Sequence, residues 1–208
     1  MTPIQRLSLW CGVCVPLVYF GAQLVAAPFY PDYSFMVNSA SQLGSDRSSF
    51  PQLLNVGAMF SGALGLLSAY GVAAGLQAHG ANRWFAWVSA GCIVSIAAAA
   101  IWAGLHPMPD PRHNPGAIGI GMFLSPLALL AAFWTVPNGH AMRRYLIFTL
   151  IAFGALAPVM SGVTPIDLER YGGLMQRIAA LVLYVPPSVT AGWLLRKHPK
   201  QAQTPATG

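Results

Sequence analysis

FAWVSAGCIVSIAAAAIWAGL, residues 85 to 105, runs for twenty-one positions without a charged side chain. A helix that crosses a bilayer needs about 20 mainly apolar residues, because the hydrocarbon core is about 30 Å thick and each residue rises about 1.5 Å. This stretch, Phe85 to Leu105, meets that demand, and five others do so as well: Leu7 to Ala27, Leu53 to Leu76, Ala117 to Val136, Tyr145 to Val163 and Gln176 to Leu195. The pattern predicts an all-α polytopic membrane protein with six transmembrane helices in one bundle. A single membrane domain over residues 1–196 is expected, followed by a disordered cytoplasmic tail over 197–208. Composition excludes a soluble domain: 55% of the 208 residues are hydrophobic and 8% are charged, against roughly 25% charged in soluble proteins. The first run, with Arg6 before it and Val25, Ala26 and Ala27 near its end, has some features of a signal peptide. It is too long for one and carries Trp10, Pro16 and Gln23, so it is read as a retained span.

Orientation follows from the cations. With six spans the termini share a side, and that side holds Arg6, Arg83, Arg143, Arg144, Arg196, Lys197 and Lys200, seven of the eleven basic residues. Arg47, Arg112, Arg170 and Arg177 lie on the other. The excess predicts that both termini are cytoplasmic, in a bacterial cytoplasmic (inner) membrane. All five acids, Asp32, Asp46, Asp110, Asp167 and Glu169, fall on the external side. The net charge of +6 is therefore a signal of topology and of contact with anionic lipid, and nucleic acid is not an expected partner.

Gly71 and Gly75 in the second span, and Gly91, Ser95, Ala99 and Ala103 in the third, form small-residue stripes. Such stripes let helix backbones approach, so they are read as packing faces, also able to support a homo-oligomer. Pro16, Pro126, Pro158, Pro186 and Pro187 each remove a backbone hydrogen bond within a span. Cys11 and Cys14 form a CxxC inside an apolar run, without the strand-to-helix turn of a redox site. Cys92 reads as a small hydrophobe.

The polar residues of the spans gather towards the external side. Gln23 ends the first span, Asn55 begins the second, Trp102 and His106 close the third, and Gln176 and Arg177 open the sixth. Polar groups at membrane depth are costly unless they face the bundle interior, water or one another, so convergence beneath the external loops is expected. The first of these loops, Pro28 to Gln52, is long and carries Phe29, Tyr30, Tyr33 and Phe35 before NSASQLGSDR. It suits a cap over the external mouth. In TPIDLERYGG, Thr164 and Asp167 fit a capping pattern on a short helix that Gly172 and Gly173 would end. Glu169, Arg170 and Arg177 are left over, and read first as a salt-bridge lock. HPMPDPRHNPG, residues 106 to 116, holds His106, Asp110 and His113 in a proline-stiffened strap. These three are the candidate catalytic residues, as a histidine base oriented by a carboxylate. No cofactor is expected, although the same three residues could take zinc; their spacing matches no metal motif.

The SASQLGSD segment, Asn55 and Gly62, Asp110 and His113, and Gly173 with Gln176 and Arg177 resemble a prokaryotic family of hypothetical membrane proteins, domain of unknown function 998, along essentially the whole chain. The resemblance implies a six-helix inner-membrane protein with its polar signature residues near one face, and brings no established activity. The family carries Glu where this chain has Gln176, so a reaction needing an acid there would be in doubt.

Two classes of function fit. The leading reading is a protein that binds or moves a lipid-like or small amphiphilic molecule through an external polar pocket formed by Gln23, Ser39, Ser41, Asn55, Trp102, Glu169, Arg170, Gln176 and Arg177, with membrane lipids as its partners. The alternative is an intramembrane hydrolase or lipid-modifying enzyme using His106, Asp110 and His113 with Ser39 or Ser41. A structural subunit is the third. An ion channel fits poorly because no span carries a charge at mid-bilayer. Haem is unsupported, since His106 and His113 flank one loop.

Overall fold

The computed structural model describes residues 1–196, and the expected tail at 197–208 lies outside the described residues. Six helices run α1 Pro3–Ala26, α2 Gln52–Ala78, α3 Arg83–Leu105, α4 Gly121–Trp134, α5 His140–Met160 and α6 Leu168–Arg196. Each is long and apolar enough to cross a membrane when the short 3-10 turns before α4 are counted with it. Among the described residues there is no strand. The helices continue through their internal prolines, as spans tolerate when neighbouring groups take up the freed carbonyls.

Local chemistry starts the helices where the hydropathy leaves off. Thr2 and Gln5 form a reciprocal capping box on α1, with bonds of 2.9 and 3.2 Å. The Asn82 side chain accepts the Trp84 N–H at 2.9 Å to open α3. The last segment departs from the sequence reading. Asp167, not Thr164, caps α6, accepting the N–H groups of Glu169 and Arg170 at 2.9 and 3.2 Å. The helix does not stop at Gly172 and Gly173 but runs through them to Arg196. Glycine only weakens a helix, and the packing described below requires it at Gly173.

In the bundle α2 lies between α1 and α3, α4 packs on α3, α5 joins α4 to α6, and α6 returns to α1. Apolar burial gives little drive between helices already in lipid, so close van der Waals contact decides the packing. Gly71 and Gly75 behave as expected: a Cβ on Gly71 would stand 2.7 Å from Ser8 Oγ on α1, and one on Gly75 would stand 2.9 Å from Leu194 on α6. The α3 stripe does so in part: a Cβ on Gly121, at the start of α4, would stand 2.5 Å from Ser95 Cβ, and the Gly121 N–H donates to Ser95 Oγ at 2.8 Å. Gly91 has nothing within 4 Å, whereas the tight α2–α3 crossing is made by Gly62 and Gly104, each with a backbone oxygen of the partner helix 2.6 Å from where its Cβ would be. The main core sits at the end that carries the termini, built from Leu9, Val72, Leu76, Ile93, Leu129, Phe133, Leu146 and Leu194. Phe133 is edge-on to Trp193 at 5.2 Å and is fully buried.

Candidate functional site: a capped cavity at the loop end

Towards the other end the bundle opens. The buried residues of α5 are Met142, Leu146 and Thr149, all in its first half; beyond them the helix stands away from α3, and a cavity of about 780 Å³ fills the space. Its walls are apolar: Ala99, Ala100 and Ala103 of α3, Phe153 and Leu156 of α5, Ala180 and Leu183 of α6. Deeper in, Tyr19 of α1 and Tyr184 of α6 stack at 5.0 Å with their rings 11° apart. The α3 small-residue stripe is thus used partly as cavity wall, because small side chains on one helix leave room when the facing helix does not close in.

The mouth is polar. Ser39, Ala40 and Ser41 from the long first loop, Asn55 from α2, His113 and Asn114 from the strap and Gln176 from α6 line it. The loop is held over the mouth by the first turns of α6. Gly173 and Leu174 donate their N–H groups to the carbonyls of Val37 and Met36 at 3.1 and 3.0 Å. A Cβ on Gly173 would stand 2.4 Å from the Asn38 carbonyl oxygen, so only glycine admits this approach. One turn on, Arg177 Nη1 donates to the carbonyls of Phe35 at 3.0 Å, Asn38 at 2.9 Å and Gly173 at 2.9 Å, while Nη2 donates to the Tyr33 hydroxyl. Tyr33 in turn donates to the Ser39 carbonyl at 3.1 Å. Burial pushes the Tyr33 phenol above its ordinary value, and Arg177 pulls the other way. Gln176 Oε1 accepts the Ala40 N–H at 2.7 Å, and Asn55 Nδ2 donates to the Gly44 carbonyl at 2.9 Å. The expected lock therefore exists, but it is not a salt bridge. Among the described residues the ion pairs are those of Asp110 with Arg112 and His106, and Arg177 is held by backbone carbonyls instead.

The strap has its own internal order. Asp110 takes the Arg112 guanidinium through both oxygens, at 3.1 and 2.8 Å, and the Arg112 N–H at 2.8 Å. The Arg112 hydrogen bonds hold the Asp110 carboxyl well below the usual carboxylate range. His106 Nδ1 is 3.6 Å from the same carboxylate, and its ring lies 4.5 Å from that of Trp102. Trp102 Nε1 donates to the Arg112 carbonyl at 2.7 Å. His113 Nδ1 lies 2.8 Å from the His106 carbonyl, which can only accept, so Nδ1 is the donor and, in the neutral ring, Nε2 is the acceptor.

Of the residues singled out from sequence, Ser39, Ser41, Asn55, His113 and Gln176 meet at the cavity and Arg177 holds its cap. Gln23 is buried but does not line the cavity; its Nε2 reaches the Tyr19 carbonyl at 3.4 Å and its Oε1 has no partner. Trp102, His106 and Asp110 brace the strap outside it, and Glu169 and Arg170 lie exposed on the first turn of α6. Sequence reasoning missed Tyr19, Tyr184, Phe153, Leu156 and Asn114. Only Asn114, two residues from Arg112 in the strap, carried a polar signal. Among the described residues no group of three or more His, Cys, Asp or Glu side chains is placed to hold a metal ion. Cys11, Cys14 and Cys92 are free thiols.

Six apolar helices, closed at one end and hollow at the other beneath a bonded loop, define a multi-pass integral membrane protein with a cavity capped by its own chain. The chain belongs to the family described as protein of unknown function (DUF998), whose family model matches residues 13–193. That match begins inside α1, ends inside α6, and takes in the four helices between them and both segments of the cap. No curated protein and no solved structure matches the chain.

Proposed function

We propose that the protein binds a lipid-like or small amphiphilic molecule in this cavity, on the external face of a bacterial inner membrane, and holds or passes it there. The observation that carries the reading is the cavity itself: about 780 Å³, apolar along its walls and polar at its mouth. That volume is within the roughly 300–1,000 Å³ of ligand pockets, and apolar lining with a few convergent polar groups is their common form. The cation excess at the terminus end supports placing the mouth outside.

The test is the lipid content of the protein purified in mild detergent, read by native mass spectrometry. Wild type is expected to carry one bound amphiphile that Ala180→Phe and Leu156→Trp, which fill the cavity from two different helices, both displace. Protein that carries none, or variants that keep the wild-type load, would defeat the reading. The hydrolytic alternative rests on His113 alone, because the Asp110 carboxylate is committed to Arg112; release of a cleaved lipid during incubation would establish it.

A further inference from the structure

We infer that the ligand of this cavity has an uncharged, hydroxyl-bearing polar end, the chemistry of a diacylglycerol or a long-chain alcohol, and not a phosphate or an ammonium headgroup. The inference rests on the binding reading above and sharpens it. Its first ground is charge. Among the described residues, no Asp, Glu, Lys or Arg side chain lines the cavity. A charged headgroup moved out of water into such a site would lose its hydration without gaining a counter-ion, which is far costlier than moving a neutral hydroxyl. Arg177, the cation of the cap, does not line the cavity; its Nη groups are committed to three carbonyls and the Tyr33 hydroxyl, and its Nε is buried without a partner.

The second ground is the polarity of the free valences at the mouth. Gln176 spends Oε1 on Ala40 and keeps its Nε2 donors. Asn114 spends Oδ1 on Gly116 and keeps its Nδ2 donors. Asn55 spends Nδ2 on Gly44 and keeps Oδ1, an acceptor. His113 spends its protonated Nδ1 on His106 and keeps Nε2, also an acceptor. Donors and acceptors thus both remain, with a second N–H on Asn55 Nδ2 and the Ser41 hydroxyl, which can serve as either, beside them. A hydroxyl both donates and accepts, so it satisfies one of each. A fully ionised phosphate presents acceptor oxygens alone, which leave Asn55 Oδ1 without a donor and its charge without a counter-ion. A quaternary ammonium neither donates nor accepts, and finds no carboxylate.

The experiment offers the delipidated full-length protein an equimolar mixture of dioleoylglycerol, dioleoylphosphatidic acid and dioleoylphosphatidylcholine, whose acyl chains are identical, and counts bound species by native mass spectrometry. Dioleoylglycerol is expected to be retained at least about tenfold over either phospholipid, and to be lost in Ala180→Phe and in Leu156→Trp. Thermal melting of both variants confirms that they fold. Equal or preferred retention of phosphatidic acid or phosphatidylcholine, lost in the same two variants, would overturn the inference and leave the cavity as a lipid site. Failure of wild type to retain any of the three, or retention that neither variant reduces, would overturn the binding reading and the inference with it.

Discussion

The two ends of this bundle are built from the same six helices and nearly the same residue types, yet one is solid and the other hollow. At the terminus end the helices converge on Phe133, Leu76, Leu146 and Leu194, all fully buried, with Gly71 and Gly75 drawing α2 against α1 and α6. At the loop end α5 contributes no buried residue after Thr149, and alanines on α3 face it across open space. The difference teaches that hydrophobicity does not decide which faces meet in this protein. Lipid is as apolar as leucine, so contact between helices depends on how closely their surfaces fit, and a face that fits nothing is free to line a cavity. The hollow end keeps its shape because the cap bonds α6 to the first loop, a role that packing plays at the other end.

The largest effect should come from carving a hole in the solid end. Phe133→Ala is expected to cost about 3–5 kcal/mol in denaturant titration, whereas Phe153→Ala, beside existing empty space, should cost under about 1.5 kcal/mol because it removes few contacts. Equal losses would erase the distinction between the two ends.

Next in size is the cap. Arg177→Gln removes the charged donor that gathers the Phe35 and Asn38 carbonyls, and bonds to a charged group are worth about 1.5–3 kcal/mol. Pairing it with Tyr33→Phe should show coupling above about 0.5 kcal/mol, since the two share a hydrogen bond. Independent effects would mean that the staple is not formed.

Neighbouring glycines give a sharper contrast at lower cost. Gly173→Ala puts a methyl group against the Asn38 backbone and should destabilise by about 1–3 kcal/mol, with faster proteolysis of the first loop. A Cβ on Gly172 meets nothing within 4 Å, so Gly172→Ala should be neutral or stabilising by up to about 1 kcal/mol. If the two behave alike, loop and helix do not dock as described.

The smallest effect belongs to the strap. Asp110 shares no hydrogen-bond partner with Arg177, so Asp110→Asn and Arg177→Gln should add within about 0.3–0.5 kcal/mol. Because the folded carboxyl is held below its ordinary value, its contribution is present above about pH 4 and is lost only as pH falls towards the depressed folded value. With His106 replaced by alanine to remove the other partner of the carboxylate, the difference in melting temperature that Asp110→Asn makes should therefore stay flat from about pH 8 to about pH 5. A difference that titrates inside that window would show that the Arg112 pair is not made.

The sequence told a good deal of this and missed the rest for physical reasons. Span number, the polar end and the capping loop were legible because charge and length are set locally by the bilayer. The lock was anticipated with the wrong chemistry: Arg177 pairs with carbonyls, which every residue carries, so no side-chain partner announces itself. Gly173 looked like a helix stop because the same glycine that ends a helix also admits a close backbone. Phe153, Leu156 and Tyr184 could not be singled out, since an apolar residue on a span reads the same whether it faces lipid or a cavity. The α3 stripe serves as a packing face only in part, at Ser95 and Ala99, for a related reason, as small residues permit approach without compelling it.

The claim that matters most is that the hollow end holds an amphiphile. Membranes containing the protein and a diacylglycerol with a photoactivatable diazirine midway along one acyl chain test it directly, with cross-linked peptides read by mass spectrometry. The account predicts that labelling concentrates around Phe153 to Leu156 on α5 and Ala179 to Tyr184 on α6, and disappears from both in Ala180→Phe. Labelling spread evenly over the lipid-facing residues Leu17, Phe148 and Ile151, unchanged by that substitution, would contradict it.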